Sequence, residues 1–192
     1  CVSAPDTAVG FNSLVQSTTS SSNTAIGRSA LFSNTTGDCN TALGQNSLDA
    51  NTSGTRNIAV GGEALGANTT ASYNVAVGQG AGDAITTGNY NVAIGRSALT
   101  TLTTNAANTA VGGTALSANT AANNTAVGYA SLAANTTATN NTAVGYSSLA
   151  ANTTGANNTG LGFAALTANT TGASNTAVGR DALGANTDGN EN

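Results

Sequence analysis

Residues 124–140 read NTAVGYASLAANTTATN, and residues 141–157 read NTAVGYSSLAANTTGAN. They are two copies of one unit of 17 residues, and further copies precede and follow them. The copies start at residues 6, 23, 40, 57, 74, 91, 108, 124, 141, 158 and 175, so only the copy at 108 is shortened, to 16 residues. Eleven tandem copies therefore cover residues 6–191, and a fixed period of this kind is the signature of a repeat architecture. We call each copy a coil and number its positions from 1 to 17.

The coil is too short for helical repeats, which need about 33 residues or more, and Asn, Thr and Gly are weak helix formers. Positions 1–4 (Asn-Thr-Ala-Val) predict one short strand, and positions 8–11 predict a second. Gly at position 5 and the segment at positions 12–15 predict turns. We therefore expect an all-β fold, a parallel β-solenoid or β-roll of eleven coils with two short strands per coil. It forms a single repeat domain over residues 6–192, behind an N-terminal extension of residues 1–5.

Two positions carry the sizeable apolar side chains of each coil. Alternation along a strand puts position 4 on one face with position 2, and position 9 on one face with positions 11 and 13. Facing these sets inward predicts a thin core of stacked aliphatic side chains. The predicted core at position 4 is Val9, Ile26, Leu43, Val60, Val77, Ile94, Val111, Val127, Val144, Leu161 and Val178. The predicted core at position 9 is Leu14, Leu31, Leu48, Leu65, Leu99, Leu116, Leu132, Leu149, Leu166 and Leu183.

The predicted turn residues are the glycines at position 5, which is Gly in every coil. They are Gly10, Gly27, Gly44, Gly61, Gly78, Gly95, Gly112, Gly128, Gly145, Gly162 and Gly179. Positions 3 and 8, which point outward in this interpretation, are nevertheless uniformly small. We expect identical chains to pack along that small-residue stripe; the alternative is that small residues suit tight coil stacking.

The asparagines at positions 1 and 12 recur in most coils. Stacked Asn side chains can hydrogen-bond along the stacking axis, as in cross-β ladders, and we expect such ladders here. The alternative is N-glycosylation, because several position-12 asparagines start an Asn-x-Ser/Thr sequence. These are Asn34, Asn51, Asn68, Asn135, Asn152 and Asn169.

The two cysteines, Cys1 and Cys39, lie two coils apart in register. That separation favours an interchain disulfide, and a chain that starts at Cys1 is also typical of a lipoprotein lipidated at that residue. Neither end of the repeat carries an atypical capping coil, so we expect either a segment of a longer fibre or ends that pair head to tail with other copies. Together with the composition, these features favour an extracellular or cell-surface location.

The composition excludes several classes of function. Without His there is no Ser-His-Asp or Cys-His nucleophile and no imidazole metal ligand, and the acidic residues form no paired stripe. We therefore predict no enzyme, no metal and no cofactor. Four basic residues and a net charge of -4 leave no footprint for nucleic acid. The sequence has no apolar run of about 18 residues, so we expect no transmembrane segment.

The unit Asn141-Thr142-Ala143-Val144-Gly145 resembles the head repeats of trimeric autotransporter adhesins and repeats in some phage tail fibres. The resemblance covers residues 6–191. It implies a parallel β-roll, trimerisation, and attachment to a surface as a role, with the virion tail as the location if the source is a phage.

The sequence leads us to expect a structural subunit of an extracellular self-assembling fibre, whose partner is its own kind, packed laterally or head to tail. One alternative is an adhesin or tail-fibre shaft that binds cell-surface glycans through exposed aromatic residues at position 6. These are Phe11, Tyr129, Tyr146 and Phe163. The other is an ice-binding protein, because Thr occupies position 13 in every coil.

Overall fold

The structure, a computed structural model, describes residues 4–192. In that range every coil contains one three-residue strand, at positions 2–4, and no helix is present. The strands are β1 (Thr7–Val9), β2 (Thr24–Ile26), β3 (Thr41–Leu43), β4 (Ile58–Val60), β5 (Val75–Val77), β6 (Val92–Ile94), β7 (Thr109–Val111), β8 (Thr125–Val127), β9 (Thr142–Val144), β10 (Thr159–Leu161) and β11 (Thr176–Val178).

Consecutive strands pair in parallel, in chain order, to form one eleven-stranded sheet. Each residue pairs with the residue at the same position of the next coil, as Ala76 does with Ala93. The shortened coil keeps this register, since Thr109 pairs with Thr125 and the missing residue falls in the turn that follows Thr120. The predicted β-solenoid of tandem coils is confirmed.

The predicted second strand is wrong. Positions 6–11 form a turn in each coil, because positions 7 and 9 adopt left-handed backbone angles, with φ of 54° at Asn46 and 51° at Leu48. These angles break the alternation of a strand, so that adjacent residues such as Ala64 and Leu65 are both fully buried. A left-handed residue other than Gly costs about 1–2 kcal/mol, and burying a leucine returns about 1.5–3 kcal/mol.

The two faces of the strand are also reversed relative to the prediction. Position 3 lies inside: in β3, Ala42 is fully buried, whereas its neighbour Leu43 at position 4 is 44% exposed. The interior between the sheet and the position-9 leucines has room for a methyl group only. A Cβ on Gly160, at position 3, would already lie 2.6 Å from Ser148 Oγ and 3.4 Å from Leu149 Cδ1.

The core therefore consists of Leu at position 9 with Ala at position 3 and Ala or Ser at position 8. Nine of the ten leucines predicted for the core are buried, and Leu183 is 37% exposed. The position-4 residues do not lie in the core, and their prediction is wrong because a longer side chain does not fit inside. They are Val9, Ile26, Leu43, Val60, Val77, Ile94, Val111, Val127, Val144, Leu161 and Val178.

The same finding overturns the expected packing of chains along positions 3 and 8. In the central coils both positions are buried within the chain, so no second chain can reach them. Their small size is explained by the thinness of the coil, which is the alternative that the sequence left open.

Position 5 requires glycine for two reasons. Gly27 has φ of +136°, a conformation that L side chains rarely adopt, and a Cβ there would lie 2.5 Å from the carbonyl oxygen of Gly44 in the next coil. Because the same contact recurs from coil to coil, these glycines stack in a column at the end of the strands. The predicted turn with positive φ is present at all eleven of them.

Both asparagine ladders are present, which confirms the prediction of axial hydrogen bonds. At position 1, Asn57 N donates to Asn40 Oδ1 in the preceding coil (2.9 Å), and its Nδ2 donates to the carbonyl oxygen of Ala71 at position 15 (2.8 Å). At position 12, Asn68 Nδ2 donates to Asn51 Oδ1 (2.7 Å) and to the same Ala71 oxygen (3.2 Å). One carbonyl per coil thus joins the two ladders.

The position-12 ladder is interrupted in two neighbouring coils, where Ile85 and Leu102 replace Asn and are buried. Asn68 Oδ1 then meets no donor and is buried without a hydrogen bond. The Ile85 side chain occupies space that a position-9 leucine fills elsewhere, because its Cδ1 would lie 3.0 Å from a Cβ on Gly82, the one position-9 residue that is not Leu. Two departures from the repeat, Gly82 and Ile85, therefore compensate each other in volume.

Candidate interaction surfaces

The outer face of the sheet is formed by positions 2 and 4 of every strand. Position 4 gives a continuous row of aliphatic side chains, and position 2 gives Thr in eight coils and an aliphatic residue in three. No charged residue occupies either position. In β4, β5 and β6 the residues at positions 2 and 4 are both aliphatic, so their side chains form an array two side chains wide and three strands long. We call this array the aliphatic patch; it consists of Ile58, Val60, Val75, Val77, Val92 and Ile94.

The threonines at positions 2 and 13 differ in what their hydroxyl groups do. At position 13, nine hydroxyls donate to the position-13 carbonyl of the next coil, as Thr52 Oγ1 does to Thr69 O (3.1 Å). At position 2, no hydroxyl in the described part of the chain has a protein partner; Thr142 is an example. The row of threonines that carried the ice-binding alternative is thus engaged within the coil, and the threonines that face solvent with unused hydroxyls lie on the sheet.

Three of the four aromatic residues predicted to bind sugars form one stack at position 6. Tyr129 and Tyr146 have ring centroids 5.6 Å apart, and Tyr146 and Phe163 have centroids 5.3 Å apart. The Arg180 guanidinium covers the other side of Phe163, 5.3 Å from its centroid. Phe11, ten coils before Arg180, is 74% exposed and lies outside this stack. Since the rings cover one another's faces, the stack offers mainly ring edges to a ligand.

A second stack, at position 17, was missed by the sequence reasoning. Tyr73 and Tyr90 have centroids 5.0 Å apart with an angle of 13° between the ring planes. Arg56 lies 5.4 Å above Tyr73, and its Nη1 donates to the Tyr73 hydroxyl (2.9 Å). The signal was available, because Arg56, Tyr73 and Tyr90 occupy one register position in three consecutive coils.

Asp49, Glu63 and Asp83 lie in three successive coils, and the charge of Glu63 acts on both aspartates. Burial raises the pKa of Asp83 above its ordinary value; backbone hydrogen bonds lower it in part, and the negative charge of Glu63 raises it. The same causes raise the pKa of Asp49. Within residues 4–192, no three His, Cys, Asp or Glu side chains come together as a group that could hold a metal ion, and no pocket is found.

Cys39 is disulfide-bonded. Cys1, on which the predictions of lipidation and of an interchain bridge also fall, lies outside the described residues.

The glycosylation alternative requires an exposed Asn side chain, but those of Asn34, Asn51 and Asn68 are fully buried. Their Nδ2 atoms donate inside the coil, as Asn51 Nδ2 does to Asn34 Oδ1 (2.8 Å). The folded coil therefore does not present these asparagines for modification.

The part of the chain that the structure describes includes no helix with the length and apolar character needed to cross a membrane. Comparison with protein-family models, with curated proteins and with solved structures found no match.

Proposed function

We propose that the chain is a structural subunit of an extracellular fibre or filament that assembles from copies of itself. The observation that supports this is that each coil binds the next by one repeated contact. That contact combines parallel pairing of the strands, the stacked position-5 glycines and the asparagine ladders. A contact that a coil makes with its successor inside the chain is equally available between a coil of one chain and a coil of another, and such head-to-tail contacts produce filaments.

The chemistry of the surface agrees with a structural role. The buried amides are used in ladders that hold the coil, and in the described residues neither a pocket nor a metal-binding cluster offers a site for catalysis. The disulfide at Cys39 supports an oxidising compartment, such as the cell exterior or a virion surface, because disulfides persist there and are rare in the cytosol.

Electron microscopy of the purified chain tests this function. Eleven coils spaced about 4.8 Å apart give a rod about 50 Å long. We expect filaments several times longer than this, whose length distribution shifts upward with protein concentration. Rods of uniform length near 50 Å at every concentration contradict the proposal.

The second candidate function is a shaft that binds cell-surface glycans, and the row of exposed ring edges of Tyr129, Tyr146 and Phe163 favours it. Binding to a glycan array by the parent chain, lost on Tyr146→Ala and kept on Tyr73→Ala, is the expected result for this function. Equal binding by both variants, or none by the parent chain, excludes the stack as a sugar site.

A further inference from the structure

We infer that the outer face of the sheet is a lateral interface, and that its occupant is the same face of a second copy of this chain. The aliphatic patch of β4, β5 and β6 lies at the centre of the contact. The inference rests on the proposed function as a self-assembling subunit and adds to it the surface through which chains lie side by side.

The chemistry of the outer face suits contact with a second copy. The face combines fourteen aliphatic side chains with eight threonines in its twenty-two positions, and none of the twelve charged residues of the chain lies on it. Ile58 and Ile94, at opposite corners of the patch, are 42% and 37% exposed. An exposed apolar face that is continuous over the whole sheet marks an interaction site. Because it carries no charge, two copies with a net charge of -4 each can approach through it without like charges meeting.

The area of the outer face is also large enough for contact with a second copy. Strands spaced about 4.8 Å apart and about 10 Å long give the face an area of about 500 Å². Two copies in contact then bury about 1,000 Å², which is the lower limit for a specific interface between proteins. A face that meets its own copy also satisfies the symmetry of most homo-oligomers, in which the same patch is used on both partners.

The uneven surface of the face favours a protein copy over ice as the occupant. An ice-binding face needs a regular lattice of similar groups. Here the position-2 hydroxyls are absent from three consecutive strands, and the position-4 row mixes side chains of different length, such as Leu43 and Val60. Interdigitating side chains of another chain can follow this uneven relief, whereas a crystal plane cannot.

The experiment compares two double variants with matched charge. Val60→Lys with Val77→Lys places two lysines on the face, and Gln45→Lys with Gln79→Lys places two at exposed position-6 sites outside it. At a protein concentration too low for end-to-end filaments to form, we expect sedimentation equilibrium to give the parent chain and the glutamine variant a mass of two or more chains. The valine variant should have the mass of one chain at that concentration, with an unchanged circular dichroism spectrum and a cooperative melting transition that shows it to be folded.

Three outcomes overturn the inference. The first is that both variants keep the mass of the parent chain. The second is a parent chain that is single and shows thermal hysteresis lost in the valine variant, which identifies ice as the occupant. The third is a parent chain that is single without thermal hysteresis.

Micrographs of the same samples test the proposed function separately. Filaments in a sample whose chains do not associate laterally leave end-to-end assembly standing and remove only the lateral interface. Absence of filaments in the parent chain removes the proposed function.

Discussion

The inner and outer sides of one strand accept different side chains, although the residues concerned are adjacent in the sequence. On the inner side, position 3 is Ala in ten coils and Gly in one, because the space between the sheet and the leucines ends at a methyl group. On the outer side, position 4 accepts Val, Ile and Leu, because it faces away from the core. In this repeat, a position whose residues are all small therefore lies in the confined interior of the coil. A position that varies among aliphatic residues of different size lies on a surface that stays apolar.

The largest effect should come from placing the same charges on the two sides. Ala76→Glu with Ala93→Glu buries two carboxylates where no space or partner exists, and we expect a loss of more than about 5 kcal/mol, which unfolds the chain. Val77→Glu with Ile94→Glu, on the outer face of the same two strands, should cost about 2 kcal/mol at most. Urea unfolding followed by circular dichroism measures both, and equal losses would remove the distinction between the sides.

A single isosteric change tests the same distinction at the asparagine ladder. Asn141 is buried, and its Nδ2 donates to Gly155 O (3.0 Å) while its Oδ1 accepts from Asn158 N (2.9 Å). Asn141→Asp replaces the donor by a charged oxygen that faces the carbonyl, so we expect a loss of about 3 kcal/mol or more. Asn140→Asp, one residue away and exposed, should change the free energy of unfolding by less than about 0.5 kcal/mol. Comparable losses in the two variants would argue against a buried ladder.

Position 1 of the first coil shows how a carboxylate is accommodated there. Asp6 Oδ1 accepts from Asn23 N (2.8 Å), and Asp6 Oδ2 accepts from the hydroxyl of Ser20 at position 15 (3.0 Å). In the other full-length coils, the amide of the Asn at position 1 donates to the carbonyl oxygen at position 15. In the first coil the direction is reversed, because the Ser20 hydroxyl at position 15 donates to the Asp6 carboxylate. Asn141 has no such neighbour, which is why the same residue type should be destabilising in the middle of the ladder.

An intermediate effect should come from the compensating pair in the interrupted ladder. Gly82→Leu adds a side chain into the space of Ile85, and Ile85→Asn leaves that space unfilled, so each should cost about 2 kcal/mol. The double variant restores the combination found in other coils and gives Asn68 Oδ1 its missing donor. We expect it to unfold within about 1 kcal/mol of the parent chain. A double-mutant cycle in urea measures the coupling, and simple additivity of the two losses would contradict the shared volume.

The sequence was sufficient for the stacking of coils and insufficient for the direction of their side chains. The period, the invariant glycines and the asparagines predicted parallel strands, stacked turns and ladders. In a strand of three residues, however, the alternation is satisfied equally well by position 4 inside or position 3 inside. The thickness of the coil decides between them, and it depends on the leucines of another segment.

The left-handed turn at positions 7–9 was not predicted from the sequence, for a different reason. Leucine rarely adopts positive φ, so a sequence rich in Leu at position 9 does not suggest it. Signals were nevertheless present: Gly82 replaces Leu at that position with φ of +58°, and Gly80 occurs two residues earlier with φ of +62°. At position 17, Asn123 and Asn140, a residue type that tolerates this conformation, mark the third left-handed site.

The smallest effect concerns pH. Burial raises the pKa of both Asp49 and Asp83 in the folded chain, so folding favours their protonated forms. Their contribution to stability is complete below the unfolded pKa of about 3.9 and is lost as the pH rises through the folded pKa. We expect the Tm to decline slightly as the pH rises from about 4 toward neutrality, and to decline less in Asp49→Asn with Asp83→Asn. Parallel curves for the two proteins would contradict the assignment.

The reactivity of introduced thiols tests most directly which side of the strand faces the core. Ala143→Cys and Val144→Cys, one residue apart in β9, are first shown by circular dichroism to be folded, because position 3 leaves little room beyond a methyl group. They are then labelled with a maleimide without reductant, in dilute protein carrying Val60→Lys and Val77→Lys to keep it single. We predict that the thiol at position 144, which is half-buried, reacts in the folded chain, and that the thiol at position 143 reacts only after urea is added. Protection at position 144 together with rapid labelling at position 143 would contradict the arrangement of the two sides.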